Sequence, residues 1–163
     1  MIKQSIKKLF VAVLIAPLFS FAAIAAEKHA AEKDNPTYSV TKDGTVDWST
    51  FNGFRVYSAS CIHCHGPDGM GSTIGPSLTE ALKNMSYKDF FKITSEGKKT
   101  DSATRQAVMP AFGKDPNIKC YIDDIYVYLK ARSDDAIPRG RPEKKAPKTD
   151  AWKTEKETCL SAK

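Results

Sequence analysis

Five consecutive residues carry most of the chemistry in this chain: Cys61, Ile62, His63, Cys64 and His65. Two thiols three positions apart, followed at once by a histidine, have the C-x-x-C-H spacing of covalent haem attachment. On the first turn of a helix both sulfurs reach the vinyl groups of one porphyrin, and the His65 imidazole is held under the iron as proximal ligand. Two other uses of such a pair fit less well. A thioredoxin-like redox pair sits at a strand-to-helix junction in a βαβ chain, and no stretch here reads as a buried strand. A zinc site needs four ligands at suitable spacing, whereas the remaining cysteines, Cys120 and Cys159, are far apart and have no histidine partner.

A haem held only by His65 has one open face, so the second axial ligand matters. The candidates are Met70, Met85, Met109 and the remaining histidines, His29 and His63. Met70 follows His65 closely and begins on the proximal side. Met85 precedes a helix cap and reads as core. His63, between the two cysteines, should face solvent, and His29 lies in a polar stretch. Met109 is the expected ligand. It sits in Val108-Met109-Pro110-Ala111-Phe112, where Pro110 restricts the backbone and Phe112 can lie on the ring; the alternative is a methionine that fills a core gap. The other nitrogen of His65 needs an acceptor to fix its tautomer. The Pro76 carbonyl, in Ile74-Gly75-Pro76-Ser77-Leu78, is the expected partner, with an ordinary turn as the alternative.

Three helices position these groups. Asp47 can cap a helix beginning at Trp48, whose stripe of Phe51, Phe54, Tyr57 and Cys61 delivers the cysteines. Gly53 inside it costs about 1 kcal/mol relative to alanine, which points to close packing, with Tyr128 as the ring over the gap. A second helix is expected from Asn117, as N-cap, to about Ser133, with Ile118, Ile122, Ile125 and Leu129 on one face. A shorter helix starts at Ser86, where Ser86 and Asp89 resemble a capping box, and stops at Gly97. Residues 66–84 and 98–113 read as loops, and loops so long in a small domain wrap something. The expected fold is all-α, three main helices and long loops around one covalent haem.

Residues 1–26 read as a secretory signal. Lys3, Lys7 and Lys8 precede the apolar run Leu9–Phe21, and small residues allow cleavage after Ala25 or Ala26. A retained anchor is the alternative, but the run is short for a bilayer span and Pro17 interrupts it; no stable membrane insertion is expected after cleavage. Residues 27–46 read as a flexible arm, 47–137 as the haem domain, and 138–163 as a basic, proline-containing tail, extended from Pro138 to Trp152. The net charge of +6 is misleading, since three lysines lie in the signal and the tail from Arg139 to Lys163 holds eight Lys/Arg against four Asp/Glu. No basic helix or aromatic-basic patch supports nucleic-acid binding.

Gly53-x-x-x-Tyr57-x-x-x-Cys61, Cys64-His65-Gly66, Gly75-Pro76-x-Leu78, Met109-Pro110-x-Phe112 and Ile125-x-x-Tyr128-Leu129-Lys130 occur in one order. That set resembles class I cytochrome c over residues 47–133. Cys120, Cys159, the Ala136–Pro142 stretch and the basic tail further resemble four-cysteine periplasmic cytochromes of methanol metabolism. The resemblance implies an electron carrier rather than an enzyme, with haem c as cofactor. Its partners would be a PQQ-dependent methanol dehydrogenase as donor, as for cytochrome c-L, and a second cytochrome or terminal oxidase as acceptor. The calcium site of cytochrome c-L cannot be placed on residues here. The alternative function is a catalytic or sensory haem protein that binds a small ligand at iron. In an exported chain Cys120 and Cys159 are expected to form a disulfide that pins the tail; free thiols or an intermolecular bridge remain the alternatives.

Overall fold

A computed structural model describes residues 35–102 and 105–162. The signal segment, His29 and the first part of the expected arm lie outside the described residues. The elements are β1 (Thr45–Val46), α1 (Trp48–Ser60), α2 (Ile62–His65), α3 (Leu78–Ala81), α4 (Tyr87–Glu96), β2 (Lys98–Ser102), β3 (Arg105–Met109), α5 (Pro116–Lys119), α6 (Ile122–Ser133), β4 (Lys144–Lys145) and α7 (Asp150–Ser161). The described fold is mostly helical with little sheet.

The Asp47 carboxylate accepts from Thr50 N at 2.8 Å, so α1 begins where the capping residue dictates. Its apolar stripe meets α6. Phe51, Tyr57, Ile122, Ile125, Tyr128 and Leu129 are buried between the two helices. The crossing is close because Gly53 has no side chain: a Cβ there would lie 1.8 Å from the Asp124 carbonyl oxygen and 2.8 Å from Tyr128 Cβ. The Asp124 backbone therefore fills most of the space, with the Tyr128 ring on the neighbouring rings of Phe54 and Tyr57.

At the start of α4 Ser86 Oγ accepts from Asp89 N at 3.1 Å, while Asp89 Oδ2 accepts from the Ser86 hydroxyl at 2.6 Å. The short acid closes on the hydroxyl instead of the backbone N–H that a glutamate would reach in a capping box.

Five stretches differ from the sequence reading. Residues 66–84, read as loop, hold the one-turn helix α3, which Ser77 starts by accepting from Glu80 N at 3.2 Å. The helix expected from Asn117 is two helices. Asp115, not Asn117, is its cap and accepts from Asn117 N at 2.9 Å, which leaves Pro116, with no N–H to satisfy, in the first turn. Tyr121 then departs from helical angles (φ −126°, ψ 12°) before α6 begins.

Residues 98–113, read as loop, contain the antiparallel pair β2–β3, in register from Lys98 opposite Met109 to Ser102 opposite Arg105. Thr100 and Val108 are its β-branched residues, too few among charges to announce a strand.

The last part of the expected arm is tied down: Val46 is buried, β1 pairs in parallel with β4, and Tyr38 donates to Asp134 Oδ2 at 3.0 Å.

The tail is free of helix only to Thr149, bending around Gly140 (φ 92°) on the way; the Thr149 hydroxyl accepts from Trp152 N at 3.2 Å and starts α7.

Helix α7 is fastened to the α1–α6 crossing. Cys120 and Cys159 are disulfide-bonded. Lys156, buried despite its charge, lies 3.5 Å from Asp124 Oδ1. Asn52 Nδ2 at 2.8 Å and Trp152 Nε1 at 3.1 Å donate to Asp124 Oδ2. Burial pushes the Asp124 carboxyl above its ordinary range, and the Lys156 ammonium and these donors oppose that effect.

Candidate functional site

Helix α1 ends at Ser60, and Cys61 closes it with an N–H to Tyr57 O at 2.8 Å. The single turn of α2 then places Cys64 and His65. Tyr57 secures the turn that follows: its hydroxyl donates to Gly66 O and accepts from Gly69 N at 3.0 Å. His65 is buried, and its Nδ1 stands 2.9 Å from Pro76 O. A proline carbonyl can only accept, so Nδ1 carries the proton and Nε2 keeps the lone pair that can bind a metal.

These residues border a cavity of about 550 Å³. Cys61, Cys64, His65 and Pro76 line it from one stretch of chain. Leu78, Ala81, Met85 and Ile93 add apolar surface from α3, the following turn and α4, and Met109, Pro110 and Phe112 enter from the end of β3. The four residues expected to attach and ligate a haem thus share one cavity although Met109 is far along the chain. Met70 is exposed and does not line it, and His63 faces solvent. Cys120 and Cys159 belong to the strap and not to the cavity. Burial, and then the neighbouring Cys64, push the Cys61 thiol up to about 11. It lacks the lowered pKa of a redox-active thiolate. Among the described residues no three His, Cys, Asp or Glu side chains are grouped to hold a bare metal ion. Two thiols, an imidazole with a free Nε2 and a thioether around an apolar space fit an iron porphyrin.

Sequence reasoning missed three contributors. Lys98 and Thr100 line the cavity from β2, and only the hairpin register, Lys98 opposite Met109, could have placed them. Asp68, buried and at φ 60°, accepts from Arg139 Nε at 3.0 Å and Gly140 N at 2.8 Å. It joins the turn behind His65 to the start of the tail, and a lone aspartate before a glycine gives no such signal.

A family model described as cytochrome C oxidase, cbb3-type, subunit III matches residues 50–129. Cytochrome c-553I of Paracoccus denitrificans is 48% identical over 129 residues, 79% of this chain and 57% of that protein; the chain thus spans little more than half the length of that relative. Cytochrome c-555 of Methylococcus capsulatus is 38% identical over 100 residues, 61% of this chain and 75% of that one. The chain belongs to the class I c-type cytochromes. They are electron-transfer proteins, not enzymes, and carry covalently bound haem c. The crystal structure of the c-type cytochrome XoxG from Methylobacterium extorquens AM1 matches this cytochrome with a TM-score of 0.71 at 46% identity, over 78% of each chain. Among the described residues, no helix of the cytochrome is long and apolar enough to cross a membrane.

Proposed function

We propose that Cys61 and Cys64 hold the haem by thioether bonds, that His65 and Met109 are its axial ligands, and that the protein carries single electrons in the periplasm. The donor is a PQQ-dependent methanol or alcohol dehydrogenase and the acceptor a second cytochrome or a terminal oxidase. The supporting observation is that two distant segments bring the His65 imidazole and the Met109 thioether to one apolar cavity.

Bound haem supplies a one-electron iron couple. The chain's own residues set its properties. The Pro76 carbonyl holds the Nδ1 proton, fixes the His65 ring and makes Nε2 a better donor. A soft thioether at Met109 favours the reduced metal and raises the potential. Leu78, Ala81 and Ile93 keep water from the ring.

Ile74 and Val108 border the same cavity and are 59% and 68% exposed. Two exposed apolar side chains at its rim suit a small, transient redox encounter. Export is supported by the Cys120–Cys159 disulfide, which belongs to an oxidising compartment, and signal removal after Ala25 or Ala26 is part of the same proposal. The four-cysteine pattern and the Ala136–Pro142 stretch support the choice of donor.

The test is to mix the oxidised, haem-loaded protein with a PQQ methanol dehydrogenase and methanol at low and moderate salt. Fast reduction that weakens with salt is expected, because the basic tail should steer an acidic donor. No reduction, with chemical reductants still effective, would place the donor elsewhere.

A further inference from the structure

Helix α4 ends at Gly97, whose N–H closes on Ile93 O at 2.9 Å. Gly97 has φ 77° and ψ 177°, so the chain passes directly from the helix into β2. The next residue, Lys98, is the register partner of Met109. Gly97 consequently lies against the backbone that leaves Met109. A Cβ on Gly97 would stand 2.6 Å from Met109 O, 2.9 Å from Ala111 N and 3.0 Å from the Pro110 carbonyl carbon. All three are backbone atoms, which cannot rotate aside as the end of a flexible side chain can.

The same turn of α4 holds the residues that follow. Phe112 N donates to Thr94 O at 3.0 Å, and Gly113 N donates to Ser95 O at 2.9 Å. The Met109–Gly113 segment is therefore seated on the last turn of α4, and Ile93 and Phe112, one from each side of this seat, both line the cavity. A ligating side chain works only when its support fixes it to within a fraction of an ångström.

We propose that Gly97 is a positioning residue for the Met109 thioether: its missing side chain lets the Met109 backbone sit against α4 at the depth from which sulfur reaches the iron. This rests on Met109 being the axial ligand. A side chain at Gly97 pushes the Met109 carbonyl away and draws the sulfur off the metal, while the Gly53 crossing and the cysteine attachment stay as they are.

The experiment compares haem-loaded Gly97→Ala, Gly97→Asn, Gly44→Ala and Met109→Ala with the parent protein. Three quantities are read: the sulfur-to-iron charge-transfer band of the ferric form, carbon monoxide binding by the ferrous form, and the reduction potential. Gly44 has φ 82° and no atom within 4 Å of its would-be Cβ, so Gly44→Ala carries backbone strain without the contact. At φ 77° and ψ 177° the backbone is in a region essentially restricted to glycine, so Gly97→Asn carries both contact and strain, as Gly97→Ala does, and it gives a second reading if Gly97→Ala does not mature.

Expected are loss of most of the band, new carbon monoxide binding and a lower potential in the Gly97 variants, with Gly44→Ala unchanged in all three. Parental band, carbon monoxide resistance and potential in the Gly97 variants would overturn the proposal, whatever their thermal midpoints. If Met109→Ala loses the band and the Gly97 variants keep it, only the positioning role falls. If Met109→Ala also keeps it, the ligand assignment falls too.

Discussion

Gly53 and Asp124 touch backbone to backbone: a Cβ on the glycine would lie 1.8 Å from the Asp124 carbonyl oxygen. No rotamer change relieves such a contact, so Gly53→Ala must force α1 away from α6. Overpacking of this kind costs about 3 kcal/mol. The expected result is a lower urea midpoint with an unchanged slope, since the surface exposed on unfolding is the same. A midpoint equal to that of the parent would show that the crossing is loose.

The buried Asp124–Lys156 pair gives a second prediction. Lys156→Met leaves a carboxylate in the core with only the Asn52 and Trp152 donors. Removing one partner of a buried pair costs roughly 3–5 kcal/mol, whereas removing both charges costs much less. The Asp124→Asn/Lys156→Met double variant should therefore be more stable than Lys156→Met alone. Equal losses, measured by chemical denaturation, would mean that the pair does not couple.

Opening the disulfide should also loosen the tail. Cys120 and Cys159 are 39 residues apart, and in the chain-entropy account closing such a loop contributes about 4 kcal/mol. Cys120→Ser/Cys159→Ser should lower the thermal midpoint and speed proteolysis of the tail, with the haem spectrum retained. A changed haem spectrum would instead connect the strap to the cavity.

Asp68 predicts a pH dependence. Burial raises its carboxyl, but the Gly140 N–H, Arg139 and Arg132 outweigh this and hold it below the usual carboxylate range. In the unfolded chain it titrates near ~3.9. Between that value and its lower folded value the unfolded state binds more protons, so the contribution is fully present at neutral pH and is lost on acidification through this window. Asp68→Asn should be less stable than the parent at neutral pH, and the gap should narrow below about pH 4. A gap independent of pH would exclude the carboxylate charge as its source.

What the sequence revealed was largely local. Asp47 and Ser86 act on N–H groups three residues away, and the stripe from Phe51 to Cys61 needs only a helical repeat. The C-x-x-C-H run is also local, so its place at the end of α1 could be read directly. The rest depends on partners remote in sequence. Lys98 and Thr100 reach the cavity only through the hairpin register, and Tyr121 leaves helical geometry beside the Trp152 ring of α7. Lys156 would be called a surface lysine from its neighbours; Asp124 and the Tyr121 ring, across the fold, help explain its burial. Prolines 138, 142 and 147 correctly indicated a stretch without helix, but they drew attention from Thr149, the residue that ends it.

The strap also imposes an order on biosynthesis. A chain emerges N-terminus first, so α1, the haem-attachment turn and α6 are all available before α7 exists. Until α7 arrives, Asp124 has no counter-charge, Cys120 has no sulfur to join, and Trp48 lacks the Trp152 ring beside it. The crossing that carries Cys61 is therefore at its weakest during the interval in which attachment chemistry first becomes possible. Docking of α7 supplies all three contacts together, so α7 acts as a latch on the helix that carries Cys61.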